Sequence, residues 1–103
     1  MDQSRPTILA QIGNTPLLKL TRVIESPDVE IYVKCEFMNP GGSIKDRMAL
    51  SMIDGAEKSG KLKSGGTIIE QSTGNTGPAL AFVGAVKGYK VQLIFSGTAV
   101  QFL

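Results

Sequence analysis

Lys45 lies just after a dense cluster of turn residues at positions 39–42, in a context where a lysine could act chemically. Ser43, with Asp46 three residues further on, is typical of a helix N-cap with a variant of the capping box, so we expect a helix to begin at Ile44. The positive end of the helix dipole disfavours an ammonium there and makes the neutral amine more available as a nucleophile. The alternative is an ordinary solvated lysine, since most lysines are exposed.

A second candidate is the loop Ser72–Gly77, which reads STGNTG and follows a predicted strand. Its glycines let the backbone approach a ligand, two hydroxyl side chains and an amide converge, and free N–H groups at the start of the next helix attract an anion. Ligands bind at this end of the strands in open α/β sheets. The alternative is that these residue types simply form a turn and a helix cap.

The elements that must position these residues follow from the apolar pattern. Residues 13–20 and the alternating segment Glu30–Glu36 are typical of strands. The helix that carries Lys45 should end near Gly60 and bury one apolar stripe, which consists of Ile44, Met48, Met52, Ile53 and Ala56. We expect Cys35 to be a small buried strand residue rather than a reactive thiol.

The following segment has the order of a βαβ unit. Thr67–Glu70 and Lys90–Phe95 are predicted strands, and a helix begins around Pro78 and continues through Ala79–Lys87 to Gly88. This order indicates a parallel sheet with a right-handed connection. A parallel sheet is normally covered on both faces, and about two helices cannot provide that cover, so we expect an incomplete unit of marginal stability.

Composition excludes several classes of protein. The 42% of hydrophobic and 19% of charged residues are typical of a soluble globular domain. The net charge of +2 is not clustered, so we expect no nucleic-acid partner. One cysteine and no histidine argue against a metal site, and no window is long and apolar enough for a membrane span. Without a targeting pattern, we expect the cytoplasm.

Three segments together resemble the cysteine synthase and cystathionine β-synthase family of pyridoxal 5′-phosphate (PLP) enzymes, of fold-type II. They are IGNTPLLKL at 12–20, KCEFMNPGGSIKDRMAL at 34–50 and EQSTGNTGPALA at 70–81. The resemblance extends from about Ile12 to Phe95 and implies an α/β fold, namely part of a three-layer αβα parallel sheet. It also implies three parts: strands within 1–40 that join the large PLP domain, the first half of the small α/β domain at 41–95, and a divergent tail at 96–103.

The resemblance also implies roles for individual residues. Lys45 matches the lysine that binds PLP covalently and moves the proton at the α-carbon of the substrate. Asn75 matches the asparagine that hydrogen-bonds the phenolic oxygen of PLP. The loop that grips the substrate α-carboxylate is matched by Ser72, Thr73, Gly74, Asn75 and Thr76.

The implied reaction is elimination or replacement of the β-substituent of a serine-type amino acid, giving cysteine or a related thioether, with PLP as the electron sink. The implied partners are a small amino-acid substrate and, for the full-length family, a second copy in a homo-oligomer. In the family, the PLP phosphate and the pyridine nitrogen are held by later segments that these 103 residues do not contain. We therefore expect weak activity, or none, from this chain alone.

Some residues depart from the family pattern. Gln71-Ser72-Thr73 stands where the family more often has Pro-Thr-Ser before Gly-Asn-Thr, and Pro78 follows Gly77 where an aliphatic residue is common. Two other functions stay open. One is a non-catalytic interaction module that keeps the anion-binding loop and exposes sheet edges to another chain. The other is a small anion or nucleotide binder, although the usual phosphate-binding motifs do not occur in the right context.

Overall fold

A computed structural model describes residues 7–95 and Gly97 of the chain. The tail predicted at 96–103 therefore lies, apart from Gly97, outside the described residues. Two short 3-10 helices, four strands and two α-helices follow one another in the order Ile8–Gln11 (3-10), Leu17–Lys19 (β1), Tyr32–Lys34 (β2), Glu36–Met38 (3-10), Lys45–Lys58 (α1), Thr67–Gln71 (β3), Thr76–Lys87 (α2) and Lys90–Ile94 (β4).

The predicted βαβ unit is present, with α2 between the two parallel strands β3 and β4. Their register pairs Thr67 with Lys90 and Gln71 with Ile94. Strand β3 is one residue longer than predicted, and α2 begins two residues before Pro78. Proline is tolerated there because the first N–H groups of a helix have no intrahelical partner.

The core lies where α1 packs against α2 and where α2 packs on one face of the β3–β4 sheet. Its buried apolar residues are mostly small, namely Ala49, Ile53, Ala79, Leu80 and Val83. Gly84 allows α2 to lie directly on β4, because a Cβ atom at this position would overlap Cγ2 of Val91. The opposite face of the sheet is uncovered, with 61% of Ile69 and 55% of Ile94 exposed.

The buried face of α1 differs from the predicted stripe. Ile53 is buried as expected, but Ile44 and Met52 are 53% and 48% exposed, so the prediction was wrong for them. The residues that α1 buries completely are Asp46 and Ala49. Spacing alone favoured the large apolar residues, whereas close packing against α2 selects the small Ala49.

The two ends of α1 agree only in part with the predicted caps. The helix begins at Lys45, with the backbone N–H of Lys45 donating to Oγ of Ser43 at 3.1 Å. Asp46 does not complete a capping box, because its carboxylate instead accepts a hydrogen bond from the N–H of Gly41. After the C-cap Ser59, the chain leaves the helix through Gly60, whose φ of +76° is the left-handed conformation that glycine favours.

The two N-terminal strands form a separate antiparallel pair, in which Leu17 faces Lys34 and Lys19 faces Tyr32. Both strands fall within the segments predicted for them, and all six of their residues are exposed. Cys35 follows β2 directly and is buried, as expected. Among the described residues, no helix is long and apolar enough to cross a membrane.

Candidate functional site

An open cleft of about 430 Å³ lies between α1 and the loop that follows β3. The α1 side consists of two methionines, and the other side consists of the end of β3 and the loop. The lining residues are Met48, Met52, Glu70, Gln71, Ser72, Thr73, Gly74 and Thr76. The cleft therefore lies at the carboxyl end of a parallel strand, the position at which α/β proteins bind ligands.

Ser72 holds the loop in shape. Its Oγ accepts hydrogen bonds from the N–H of Gly74 at 3.3 Å and of Gly77 at 2.9 Å, and it lies 3.2 Å from the carbonyl oxygen of Gly74, to which its hydroxyl can donate. Ser72 is buried, and Gly77 is packed so closely that a Cβ atom there would lie 3.3 Å from Cβ of Ser72. The hydroxyl of Ser72 is thus engaged in hydrogen bonds to the protein backbone, and it caps the start of α2.

Other N–H groups of the loop remain available. Within the described part of the chain, the backbone N–H groups of Thr73, Asn75 and Thr76 have no acceptor. They lie at or just before the N-terminus of α2, where the helix dipole adds positive potential. This combination is suited to bind a carboxylate or a phosphate.

Asn75 is the N-cap residue of α2, but its side chain makes no capping hydrogen bond. Its carbonyl oxygen accepts from the N–H of Ala79 at 3.1 Å, which fixes the backbone. The residue is exposed and does not line the cleft, although both of its loop neighbours do. Its side-chain amide therefore remains available at the edge of the cleft.

Lys45 occupies the first position of α1 and is half-buried. It does not line the cleft itself, but Met48 and Met52 follow it at intervals of three and seven residues. Residues with this spacing share one face of a helix. Lys45 therefore lies at the N-terminal end of the helix face that forms one wall of the cleft.

Next to Lys45, the carboxylate of Asp46 points into the protein. Its Oδ2 accepts from the N–H of Gly41 at 2.5 Å, while Oδ1 is buried without a hydrogen-bond partner among the described residues. Gly41 has no room for a side chain, because a Cβ atom would overlap this carboxylate. The turn before Lys45 is thus held against the first turn of α1.

A polar cluster that the sequence did not reveal joins the N-terminal segment to α1. We call it the polar joint, and it consists of Gly13, Thr15, Glu36, Asn39 and Arg47. The guanidinium of Arg47 donates to both carboxylate oxygens of Glu36, to the carbonyl oxygen of Gly13 at 3.0 Å and to Oγ1 of Thr15 at 3.3 Å. Thr15 also donates to Oε2 of Glu36 at 2.6 Å.

Asn39 closes the polar joint. Its Oδ1 accepts from the N–H of Gly13 at 2.8 Å, and its Nδ2 donates to the carbonyl oxygen of Glu36 at 2.9 Å. The hydrogen bonds from Arg47 and Thr15 lower the pKa of Glu36 from 4.5 to about 2. Glu36 is therefore ionised near neutral pH, where it forms an ion pair with the guanidinium of Arg47.

The sequence of this chain is similar to those of known proteins. The family described as "Pyridoxal-phosphate dependent enzyme" matches residues 8–101, and so extends beyond Phe95, where we expected the resemblance to stop. The cysteine synthase of Staphylococcus aureus (strain Mu50 / ATCC 700699) is 52% identical over 90 residues, which are 87% of this chain and 29% of that protein. The cystathionine β-synthase of Apis mellifera is 55% identical over 91 residues, which are 86% of this chain and 18% of that protein.

A solved structure supports the same relationship. A hydrogen sulfide-producing enzyme from Fusobacterium nucleatum superimposes with a TM-score of 0.85 and 46% sequence identity, covering 93% of this chain and 32% of that one. The predicted fold class, part of the α/β fold of these enzymes, is thereby confirmed. The chain spans less than a third of the length of the curated relatives it matches.

Proposed function

Because this chain belongs to the family of pyridoxal-phosphate dependent enzymes, we propose that its cleft is part of a PLP-dependent site for an amino-acid substrate, with Lys45 as the residue that binds PLP covalently. One observation carries the proposal. Met48 and Met52, which follow Lys45 on one face of α1, line the same cleft as the loop residues Ser72, Thr73, Gly74 and Thr76.

The residues of the cleft fit an amino acid and PLP. The free N–H groups of Thr73, Asn75 and Thr76 suit the α-carboxylate of the substrate, and the two threonines also line the cleft. Ser72 keeps this loop in place from inside the protein. The amide of Asn75 is free to donate to the phenolic oxygen of PLP.

Lys45 has two roles in this proposal. Its amine attaches PLP, and afterwards it takes and returns the proton at the α-carbon of the substrate. Both roles need the uncharged amine. PLP, when bound, supplies the electron sink that stabilises negative charge at that carbon.

The reaction that we propose for the whole protein is elimination or replacement of the β-substituent of a serine-type amino acid. The support comes from relatives named cysteine synthase and cystathionine β-synthase. In this proposal residues 41–95 belong to the small α/β domain, and the strands within 1–40 join the larger PLP domain. A homo-oligomer in the cytoplasm is the corresponding proposal for assembly and location.

Covalent trapping tests the role of Lys45. The 103-residue chain is incubated with PLP, reduced with borohydride and digested, and the modified lysines are identified by mass spectrometry. We expect preferential labelling of Lys45 and loss of the saturable visible absorbance of bound PLP in Lys45→Ala. The matched control is Lys61→Ala, which removes an exposed lysine outside the cleft.

Uniform labelling of all exposed lysines would contradict the proposal. So would saturable PLP absorbance that is unchanged in Lys45→Ala. Either result would leave the family membership standing, because that membership rests on sequence and fold.

A non-catalytic interaction module is the second candidate function. It is favoured by the uncovered sheet face around Ile69 and Ile94, which could pair with another chain. Sedimentation of the chain at increasing concentration separates the two candidates. Tight association without any selective labelling of Lys45 would favour the interaction module.

A further inference from the structure

Arg47 connects parts of the chain that are far apart in sequence. Its guanidinium reaches Gly13, which is 34 positions earlier, and Glu36, which is 11 positions earlier. Gly13 has a φ of +82°, and a Cβ atom there would lie 2.8 Å from Nη1 of Arg47. The N-terminal segment is thus shaped to receive this side chain.

The polar joint also holds the turn that precedes Lys45 in place. Asn39 begins the turn before α1 and is bound to Gly13 and Glu36. Gly41, in the middle of the turn, is bound to the buried Asp46. Arg47 itself lies two residues after Lys45, within the first turn of α1. The backbone that carries Lys45 is therefore held on both sides.

We propose that Arg47 is a positioning residue for Lys45. By binding Glu36, Gly13 and Thr15 at once, it fixes the first turn of α1 and so sets the direction in which the amine of Lys45 projects. This inference rests on the proposed function, because Lys45 needs a fixed direction only if it binds PLP. Its structural content, the rigidity of the Lys45 backbone, can be measured independently.

Only an arginine can bind all three partners, because its planar guanidinium donates hydrogen bonds in several directions at once. A lysine keeps the charge for Glu36 but cannot hold both carboxylate oxygens and the carbonyl of Gly13 in the same geometry. Arg47→Lys should therefore show an intermediate effect, and Arg47→Gln the full effect. Arg22→Gln is the matched control, since Arg22 is an exposed arginine outside the polar joint.

The test is NMR relaxation of the backbone amides of the full 103-residue chain. In wild type we expect order parameters of about 0.85 for Lys45, Asp46 and Arg47, the value of rigid backbone. In Arg47→Gln they should fall below about 0.6, while those of Leu80 and Val83 in the core stay unchanged. Arg47→Lys should lie between, and Arg22→Gln should match wild type.

Borohydride trapping with PLP provides the second readout. Labelling of Lys45 relative to Lys61 should fall by about tenfold in Arg47→Gln, the effect of losing one or more charge-assisted hydrogen bonds. If wild type shows no preference for Lys45, the proposed function fails, and the order parameters still decide the role of Arg47. Unchanged order parameters at 45–47, or an equal fall at Leu80 and Val83, would overturn the positioning role.

Discussion

Lys87 Nζ lies 2.6 Å from Oε1 of Glu57. This ion pair joins the end of α2 to the last turn of α1. Tyr89 Oη donates to the other carboxylate oxygen of Glu57 at 2.7 Å, and Asp54 lies 2.8 Å from the same ammonium. The hydrogen bonds from Lys87 and Tyr89 lower the pKa of Glu57. This cluster holds the two helices together at the end opposite to Lys45.

Glu57→Gln should therefore weaken the packing of α1 on α2. The variant keeps the shape of the side chain but loses the charge that Lys87 pairs with, and the expected cost is about 1 kcal/mol of unfolding free energy for this partly exposed pair. Urea unfolding measures the difference. Glu25→Gln, at an exposed position outside the cluster, should leave the midpoint unchanged, and an equal shift in both variants would contradict the role of the cluster.

Glu36 should make the chain sensitive to acid. Its pKa of about 2 in the folded protein lies below its ordinary value of 4.5, so its contribution to stability is complete above pH 4.5 and is lost as the pH falls towards 2. Urea midpoints measured from pH 6 to pH 2 should fall less steeply in Glu36→Gln than in wild type. The comparison variant is Glu30→Gln, which removes an exposed partner of Lys19. Parallel curves for wild type and Glu36→Gln would refute the prediction.

Gly84→Ala and Gly55→Ala should change stability in opposite directions. A Cβ atom at position 84 would overlap Val91, and overpacking of this kind costs about 1–3 kcal/mol. A Cβ atom at Gly55 meets nothing within 4 Å, so alanine should stabilise α1 by about 0.5–1 kcal/mol through its helix propensity. Thermal unfolding of the two variants is the measurement, and stabilisation by Gly84→Ala would show that α2 does not lie as close to β4 as described.

The two faces of β3 should respond differently to substitution. Ile68 packs against the core, whereas Ile69 is 61% exposed on the uncovered face. We expect Ile68→Ala to cost about 2 kcal/mol and Ile69→Ala to stay within about 0.5 kcal/mol. Denaturant midpoints measure both. A large loss for Ile69→Ala would mean that the face is covered by another chain in solution.

Local features were predictable because each depends on neighbouring residues. The turn residues at 39–42 preceded a helix, Gly60 ended it, and the segment from Thr67 to Ile94 formed the expected parallel βαβ unit. The loop Ser72–Gly77 could also be placed from sequence, because glycines and hydroxyl residues are typical of the turn and the helix cap that join a strand to a helix. The roles of its residues and of Lys45 in binding remain predictions.

The face that α1 buries could not be predicted, since it depends on the surface of α2. The 3.6-residue period fitted the large apolar residues Ile44 and Met52 as well as it fitted Ile53. Packing on α2 instead buried Ala49 and left Met52 at the cleft. Asp46 is also buried, and its carboxyl group accepts a hydrogen bond from the N–H of Gly41 in the preceding turn.

The sequence by itself thus determined the order of the elements, the parallel unit and the family, because repeated local patterns and contiguous motifs carry that information. Only the tertiary structure decided which residues meet across long separations. Arg47, Glu36 and Gly13 form one joint although no spacing rule connects them, since charge and hydrogen-bond partners are selected by proximity in space. Packing of α1 on α2 likewise brought Met48 and Met52 to the same cleft as the loop that follows β3, although these segments lie far apart in sequence.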